Sequence, residues 1–194
     1  MSEIERVLSL VFPYSYPWGA SNAAPARVIH VYSAGRPRWA AQLCRMAGEE
    51  AVKVKDDRIK FGHLKQVLES YGRYRLDDIS REHRHQCEQV PLIVNAFSNQ
   101  PALFTTEDLL QFIHTEVLGK LKVLVDEVPV SNEVTIARFL FRTGFLLGRS
   151  RKGKTLAYYN FEEKPDLLIN HSNLDDGLSW YVHPSFHSAL ALKS

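Results

Sequence analysis

Apolar residues along most of this chain recur at helical spacing, and β-forming runs take over only in the last third. The clearest helix is "RPRWAAQLCRMAGEEAVK". Trp39, Leu43 and Met46 or Ala47 fall on one stripe, and Pro37 suits the first helical position. Upstream, Ser2 can cap a short helix carrying Ile4, Val7 and Leu8 on one face. That helix stops at "FPYSYPWGASNAAP", where Pro13, Pro17, Gly19 and Pro25 break regular structure. The segment reads as a linker. Its Phe12, Tyr14, Tyr16 and Trp18 serve either as a strap packed onto a neighbouring surface or as a ligand platform. "PARVIHVYS" reads as a helix or a turn leading to Gly35.

After the charged turn "KVKDD", "RIKFGHLKQVLESYG" predicts a short extended piece, then a helix with Leu64, Val67 and Leu68 inward. "RLDDISREHRHQ" is polar and helical, and the more apolar stretch that follows predicts a helix over 88–98. A short strand is expected at 102–104. A helix follows over 105–118, capped by Thr105 or Thr106 with acids in its first turn. "KLKVLVDEVPV" is ambiguous between a helix end and a strand. A capped helix over 131–143 then ends at Gly144, and "FLLGRS", "RKGK" and "TLAYYNFEE" read as strand, turn and strand. "LSWYVHP" adds a strand, and "PSFHSALAL" a short closing helix with Pro184 at its start. No internal repeat, heptad pattern or low-complexity tract is present.

Composition changes this picture little. With 194 residues, 45% hydrophobic and 24% charged, the chain can build one core or two small ones. A net charge of +2 is too mild to imply nucleic-acid binding by itself, so any electrostatic site must be local. Two cysteines, Cys44 and Cys87, do not make a disulfide scaffold and read as reduced thiols. The start "MSEIERVLSLVF" resembles neither a signal peptide nor a membrane span, and no uncharged apolar run reaches bilayer length. The expectation is a cytoplasmic protein with no membrane partner.

The order helix 88–98, strand 102–104, helix 105–118, helix 131–143, hairpin 145–161 is that of a winged helix. The expected fold is therefore mainly α with a small antiparallel β wing. Residues 1–23 would form a helix and aromatic linker, 24–86 a helical lid-like bundle, and 87–194 the winged-helix domain. In such a domain the third helix reads the major groove and the wing contacts backbone or minor groove. Arg149, Arg151, Lys152 and Lys154 sit close together in the wing with no acid among them. They form either a phosphate clamp or a solvated turn. The third helix is dominated by Val134, Ile136, Ala137, Phe139, Leu140 and Phe141, leaving Thr135, Arg138 and Arg142 to face outward. That is less polar than a base-reading helix usually is, and winged helices also mediate protein contacts. Glu162, Glu163, Asp166, Asp175 and Asp176 follow the wing and would repel phosphate if they shared its side.

Arg36 and Arg38 stand at the positive end of the helix begun by Pro37. The arrangement makes sense if an anion arrives, met by dipole and guanidinium together, or if local acids pair with the arginines. "GRPRWAAQLCRMAGEEA" resembles the start of the lid subdomain in AAA+ and STAND-type P-loop ATPases. There a Gly-x-Pro-Arg segment opens a helix whose arginine senses the nucleotide phosphate. The resemblance implies that Arg38 matches the sensor arginine, with Gly35 and Pro37 forming the turn and helix start. It extends over about residues 24–185. The "YGRYRLDDISREHR" and "FLFRTGFLLGR" stretches resemble the charged helix and the wing in the tail of a bacterial group of such ATPases. The phosphate-binding Gly-x-x-x-x-Gly-Lys-Ser/Thr signature does not occur, and no apolar strand ends in an acidic pair. The chain is thus expected to lack the ATPase engine, as a tail joined to a motor or separated from it.

Other constellations are weaker. His83, His85 and Cys87 in "HRHQC", and the pair His183 and His187, would need an unproven tertiary contact to bind zinc. Cys87 beside His83 carries no accompanying signature of a nucleophile. The sequence therefore points to a non-enzymatic module with no cofactor and no metal. It would bind DNA through Arg138, Arg142, Arg149, Arg151, Lys152 and Lys154, or regulate a P-loop ATPase domain, in cis or in trans, through Arg36 and Arg38. The alternative is a protein-interaction adaptor without nucleic-acid binding, free to form oligomers.

Overall fold

The computed structural model describes residues 3–153, 155–169 and 174–193. The chain is mixed α/β, built from helices and small antiparallel sheets. It divides into two compact units, one up to Arg73 and the other from Tyr74, with the boundary inside a single long helix.

The first unit holds helices α1 (Glu3–Val11), α2 (Pro25–Tyr32), α3 (Pro37–Lys53) and the first part of α4 (Phe61–His83). The segment expected as a linker forms a small antiparallel hairpin, β1 (Tyr16–Trp18) and β2 (Ser21–Ala23), turning at Gly19 with φ +60°. Its aromatics are packing groups. Phe12 and Tyr16 are buried with Val28, Trp39, Leu43, Leu64 and Tyr71, whereas Tyr14 is 97% exposed. The Tyr16 hydroxyl donates to the Ile59 carbonyl at 2.5 Å, and burial pushes its pKa up. Trp18 meets Tyr32 and Phe61 edge-on, and the Tyr71 hydroxyl donates to the Tyr32 carbonyl at 3.1 Å. In α3 the predicted stripe is the buried one: Trp39, Leu43, Met46 and Ala47. The two helical stretches predicted around Gly72 are one continuous helix, α4, which ends at His83, short of the expected end at Gln86.

The second unit contains α5 (Val90–Ala96), β3 (Leu103–Phe104) and α6 (Thr106–Phe112), which continues as a π-helical stretch, Ile113–Leu118. The ambiguous "KLKVLVDEVPV" is a two-stranded hairpin, β4 (Leu124–Val125) and β5 (Val128–Pro129). Asp126 and Glu127 fill its turn with φ of 50° and 67°. Then come α7 (Glu133–Arg142), β6 (Leu146–Lys152), β7 (Thr155–Tyr159) and β8 (Ser179–Val182). The expected closing helix is only a single 3₁₀ turn, Pro184–Phe186, followed by irregular chain.

The hairpin expected as the wing belongs to a four-stranded antiparallel sheet of order β3-β8-β6-β7. β8 returns between β3 and β6, pairing Trp180 with Phe104 and with Gly148. Residues alternate across this sheet. Leu146, Trp180, Val182 and Phe104 point inward and are buried with Phe97, Phe141 and Phe145. Gly148 allows close approach on the same face, since a Cβ there would meet Leu178 Cδ1 at 2.9 Å.

One polar network ties the sheet to α6. Thr105 caps the helix, its hydroxyl accepting from Asp108 N at 3.1 Å. Thr106 faces inward, where its hydroxyl accepts from the fully buried Trp180 indole at 3.0 Å and donates to Asp175. Asp175 in turn accepts from Gly177 N at 2.8 Å. Thr106→Val keeps the shape but strips the buried indole N–H of its acceptor. Urea denaturation should show a loss of about 1–3 kcal/mol, against about 1 kcal/mol for the exposed cap change Thr105→Ala. Equal losses would remove the network from the list of fold-defining contacts.

Candidate nucleic-acid interface

α7 is set by its cap and its apolar face. Asn132 Oδ1 accepts from Val134 N at 2.7 Å, and Gly144 at φ +77° ends the helix. Val134, Ile136, Ala137, Phe139, Leu140 and Phe141 are all buried, so helical periodicity turns Thr135, Arg138 and Arg142 out in one row. These three line one open groove of about 480 Å³ between α7 and the β4–β5 hairpin, whose opposite wall is Val125, Asp126 and Val128. The hairpin is held in place: Asp126 N donates to the Gln86 carbonyl at 2.7 Å and Leu124 N to Gln89 Oε1 at 3.2 Å.

The two α7 arginines differ in freedom. Arg138 donates to the Leu167 carbonyl and lies 5.3 Å from the Phe161 ring centre, which fixes it as part of the groove wall. Arg142 is exposed. It reaches Asp126 only loosely, at 3.9 Å, and lies 5.6 Å from the Phe139 ring centre. Such an exposed pair contributes little and is readily displaced.

Of the ribbon cations, Arg149 and Arg151 stand on the outward face of β6, turned away from the helices. The Arg149 guanidinium lies 6.0 Å from the Tyr181 ring centre, and its Nε is buried without a hydrogen-bond partner. Arg151 is exposed, its Nε 3.3 Å from the Gly153 carbonyl. Lys152 belongs to β6, and Lys154 lies outside the described residues. Arg138 and Arg142 line the α7 groove and neither Arg149 nor Arg151 does, so the described arginines do not share one site. The acids after the ribbon have structural work. Glu163 and Asn160 exchange side-chain and backbone hydrogen bonds at 2.9 Å. Lys164 bonds Asp176 at 2.6 Å and holds its carboxyl below the usual range.

In the first unit, Arg36 occupies the N-cap position of α3 and stacks 4.4 Å from the Trp39 ring centre, and Arg38 is exposed. Gly35 has φ +69°, which favours glycine at the turn into the helix. Both arginines have partners within the chain, so an arriving phosphate would compete with them.

His83 Nδ1 bonds Gln86 Oε1 at 2.8 Å, and His183 Nδ1 lies 2.8 Å from the Ser185 hydroxyl. Burial pushes both the Cys44 and Cys87 thiols up. Among the described residues no three His, Cys, Asp or Glu side chains group to hold a metal, and no helix is long and apolar enough to cross a membrane. Comparison with protein-family models, curated proteins and solved structures gives no match to this chain.

The sequence reading missed the wall opposite α7, because "VLVDEVPV" fits a helix end as well as a hairpin. His187, weighed in the sequence only as a weak zinc partner of His183, has a different place. This ring donates from Nε2 to the Val182 carbonyl at 2.6 Å, and burial lowers its pKa below the usual 6.5. A depressed histidine favours folding fully above about pH 6.5 and loses that contribution as pH falls, because the unfolded chain takes up the proton first. Thermal melts at about pH 7.5 and about pH 5.5 should therefore show a larger drop for the native chain than for His187→Gln, which retains an amide donor. Identical drops would remove His187 as the source.

Proposed function

We propose that the second unit is a non-catalytic winged-helix module that binds duplex DNA, and that the α3 region is its regulatory attachment to a P-loop ATPase. The observation that carries the DNA reading is the outward row Thr135, Arg138 and Arg142 on a helix whose every apolar residue is committed to the core. The order α5, β3, α6, α7, β6 supports it, with β8 as the returning strand between β3 and β6. In this reading β7 is an added outer strand beside β6. Arg142 takes a phosphate by exchanging it for Asp126. Arg138, held by Leu167 and Phe161, presents its edge without moving, and Thr135 supplies a hydroxyl. Arg151 adds a backbone contact from the ribbon. The attachment reading rests on the Gly35, Pro37 and Arg38 pattern at the start of α3.

A second reading is favoured by the opposite side of the same groove. Val125, Val128 and Pro129 form an apolar wall, with Val128 64% exposed, and this suits an adaptor that binds a peptide and no DNA.

The discriminating measurement is fluorescence anisotropy with a labelled duplex at about 50 mM and about 200 mM salt. The native chain should bind, and Arg142→Ala should weaken binding several-fold and lower the salt slope by about 1. Duplex binding that ignores Arg142→Ala and Arg151→Ala overturns the proposed interface. No binding at all gives the groove to the adaptor reading.

A further inference from the structure

The face of the four-stranded sheet turned away from the helices has no role in the duplex reading beyond Arg151, and its composition is unusual. Register places Arg149 of β6 opposite Tyr158 of β7, and Leu147 of β6 opposite Tyr181 of β8. Leu103 of β3 pairs with Tyr181 from the other side. All therefore share one face, with Arg151 and Leu156 beyond them along the ribbon. The two tyrosine rings meet at 5.3 Å and 45°, and the Arg149 guanidinium lies 6.0 Å from one of them. Leu103, Leu156 and Tyr158 remain 39%, 43% and 42% exposed. No outward position in the described residues of these strands is acidic.

We infer that this face is a stacking platform for single-stranded DNA. A solvated sheet face ordinarily carries polar side chains. This one instead carries flat aromatic and apolar groups interleaved with two guanidinium groups. The combination matches a ligand that is flat and apolar on its bases and anionic on its backbone. Other four-stranded sheets that bind single strands stack two or three bases on exposed aromatics. Here four strands give a width of about 14 Å between the outer ones, enough for such a run. Tyr158 is the outermost ring and takes the first base. Exposed Arg151 takes a phosphate, and half-buried Arg149, its guanidinium 6.0 Å from the Tyr181 ring centre, adds its charge beside the rings. A duplex hides its base faces and cannot use Tyr158, so this surface distinguishes unpaired strand from paired. The inference rests on the DNA-binding reading for its ligand class but, Arg151 apart, on different residues and a different form of DNA.

The test is anisotropy of the full chain with a labelled oligothymidylate, run beside the labelled duplex. Tyr158→Ala should weaken oligothymidylate binding about tenfold. Tyr158→Phe should retain it, and Arg142→Ala should leave it unchanged. Because Tyr158 is exposed on an edge strand, Tyr158→Ala should melt close to the native chain, which separates lost binding from lost folding. As an independent readout, emission from Tyr158→Trp should be quenched by oligothymidylate and not by duplex. Oligothymidylate binding indifferent to Tyr158→Ala overturns the platform while leaving the α7 interface standing. Duplex binding lost with oligothymidylate binding intact overturns the α7 interface alone. Self-association that Tyr158→Ala abolishes, with no oligothymidylate binding, assigns the face to a second copy of the chain and also overturns the platform.

Discussion

The return of β8 between β3 and β6 is the constraint on which the second unit depends. It sets Trp180 fully buried under α7, against Phe141 at 5.3 Å, with its indole N–H satisfied by Thr106 at the mouth of α6. A large aromatic buried this completely contributes several kcal/mol through packing, but only while its one polar atom is matched. Once Trp180 is fixed inward, strand alternation leaves no choice for its neighbours. Ser179 and Tyr181 must face out, and pairing carries Arg149 and Tyr158 out with them. The platform face is thus a geometric consequence of where the core wants its tryptophan.

The same logic governs α7. Its six buried apolar residues define the inner arc, and only a narrow stripe remains for polar contact. The stripe gains depth from the β4–β5 hairpin, which is held over it by backbone hydrogen bonds to Gln86 and Gln89 Oε1. The hairpin also sets an acid, Asp126, against Arg142. That contact is loose and exposed, so it orients the guanidinium at small energetic cost and yields to a stronger anion.

Local signals in the sequence were legible wherever a segment's own chemistry decided its structure. The Pro37 helix, its buried stripe and the Thr105 cap follow from proline geometry, helical spacing and a short polar side chain. The ribbon around Gly153 follows from β-forming flanks and a residue tolerant of φ +62°. What was not legible depended on distant partners. Residues 160–178 separate β7 from β8, and nothing local says that "SWYV" inserts beside β3. The row Thr135, Arg138 and Arg142 was readable from helix periodicity, but the groove it lines was not, because its other wall comes from a hairpin of two-residue strands that alternation alone cannot separate from a helix end. The arginines expected to act together are divided: alternation on β6 sets Arg149 and Arg151 on the outward sheet face, while Arg138 and Arg142 line the α7 groove.

A net charge of +2 would argue against polyanion binding if charge acted through its total. At physiological salt it acts over about 8 Å, so what counts is the sign of the side chains sharing one patch. Of the acids that crowd the sequence after the ribbon, Glu163, Asp175 and Asp176 are engaged by structure. Glu163 closes a reciprocal bond with Asn160, Asp176 is paired with Lys164, and Asp175 is spent on Thr106 and Gly177. Each hydrogen-bonded carboxylate has its field partly cancelled by the donors facing it. The outward sheet face, by contrast, carries Arg149 and Arg151 with no carboxylate on any outward strand position described. A nearly neutral chain can therefore display a locally cationic surface, provided its acids serve as caps and braces. The fold meets that condition through the same Thr106–Asp175 network that seats Trp180.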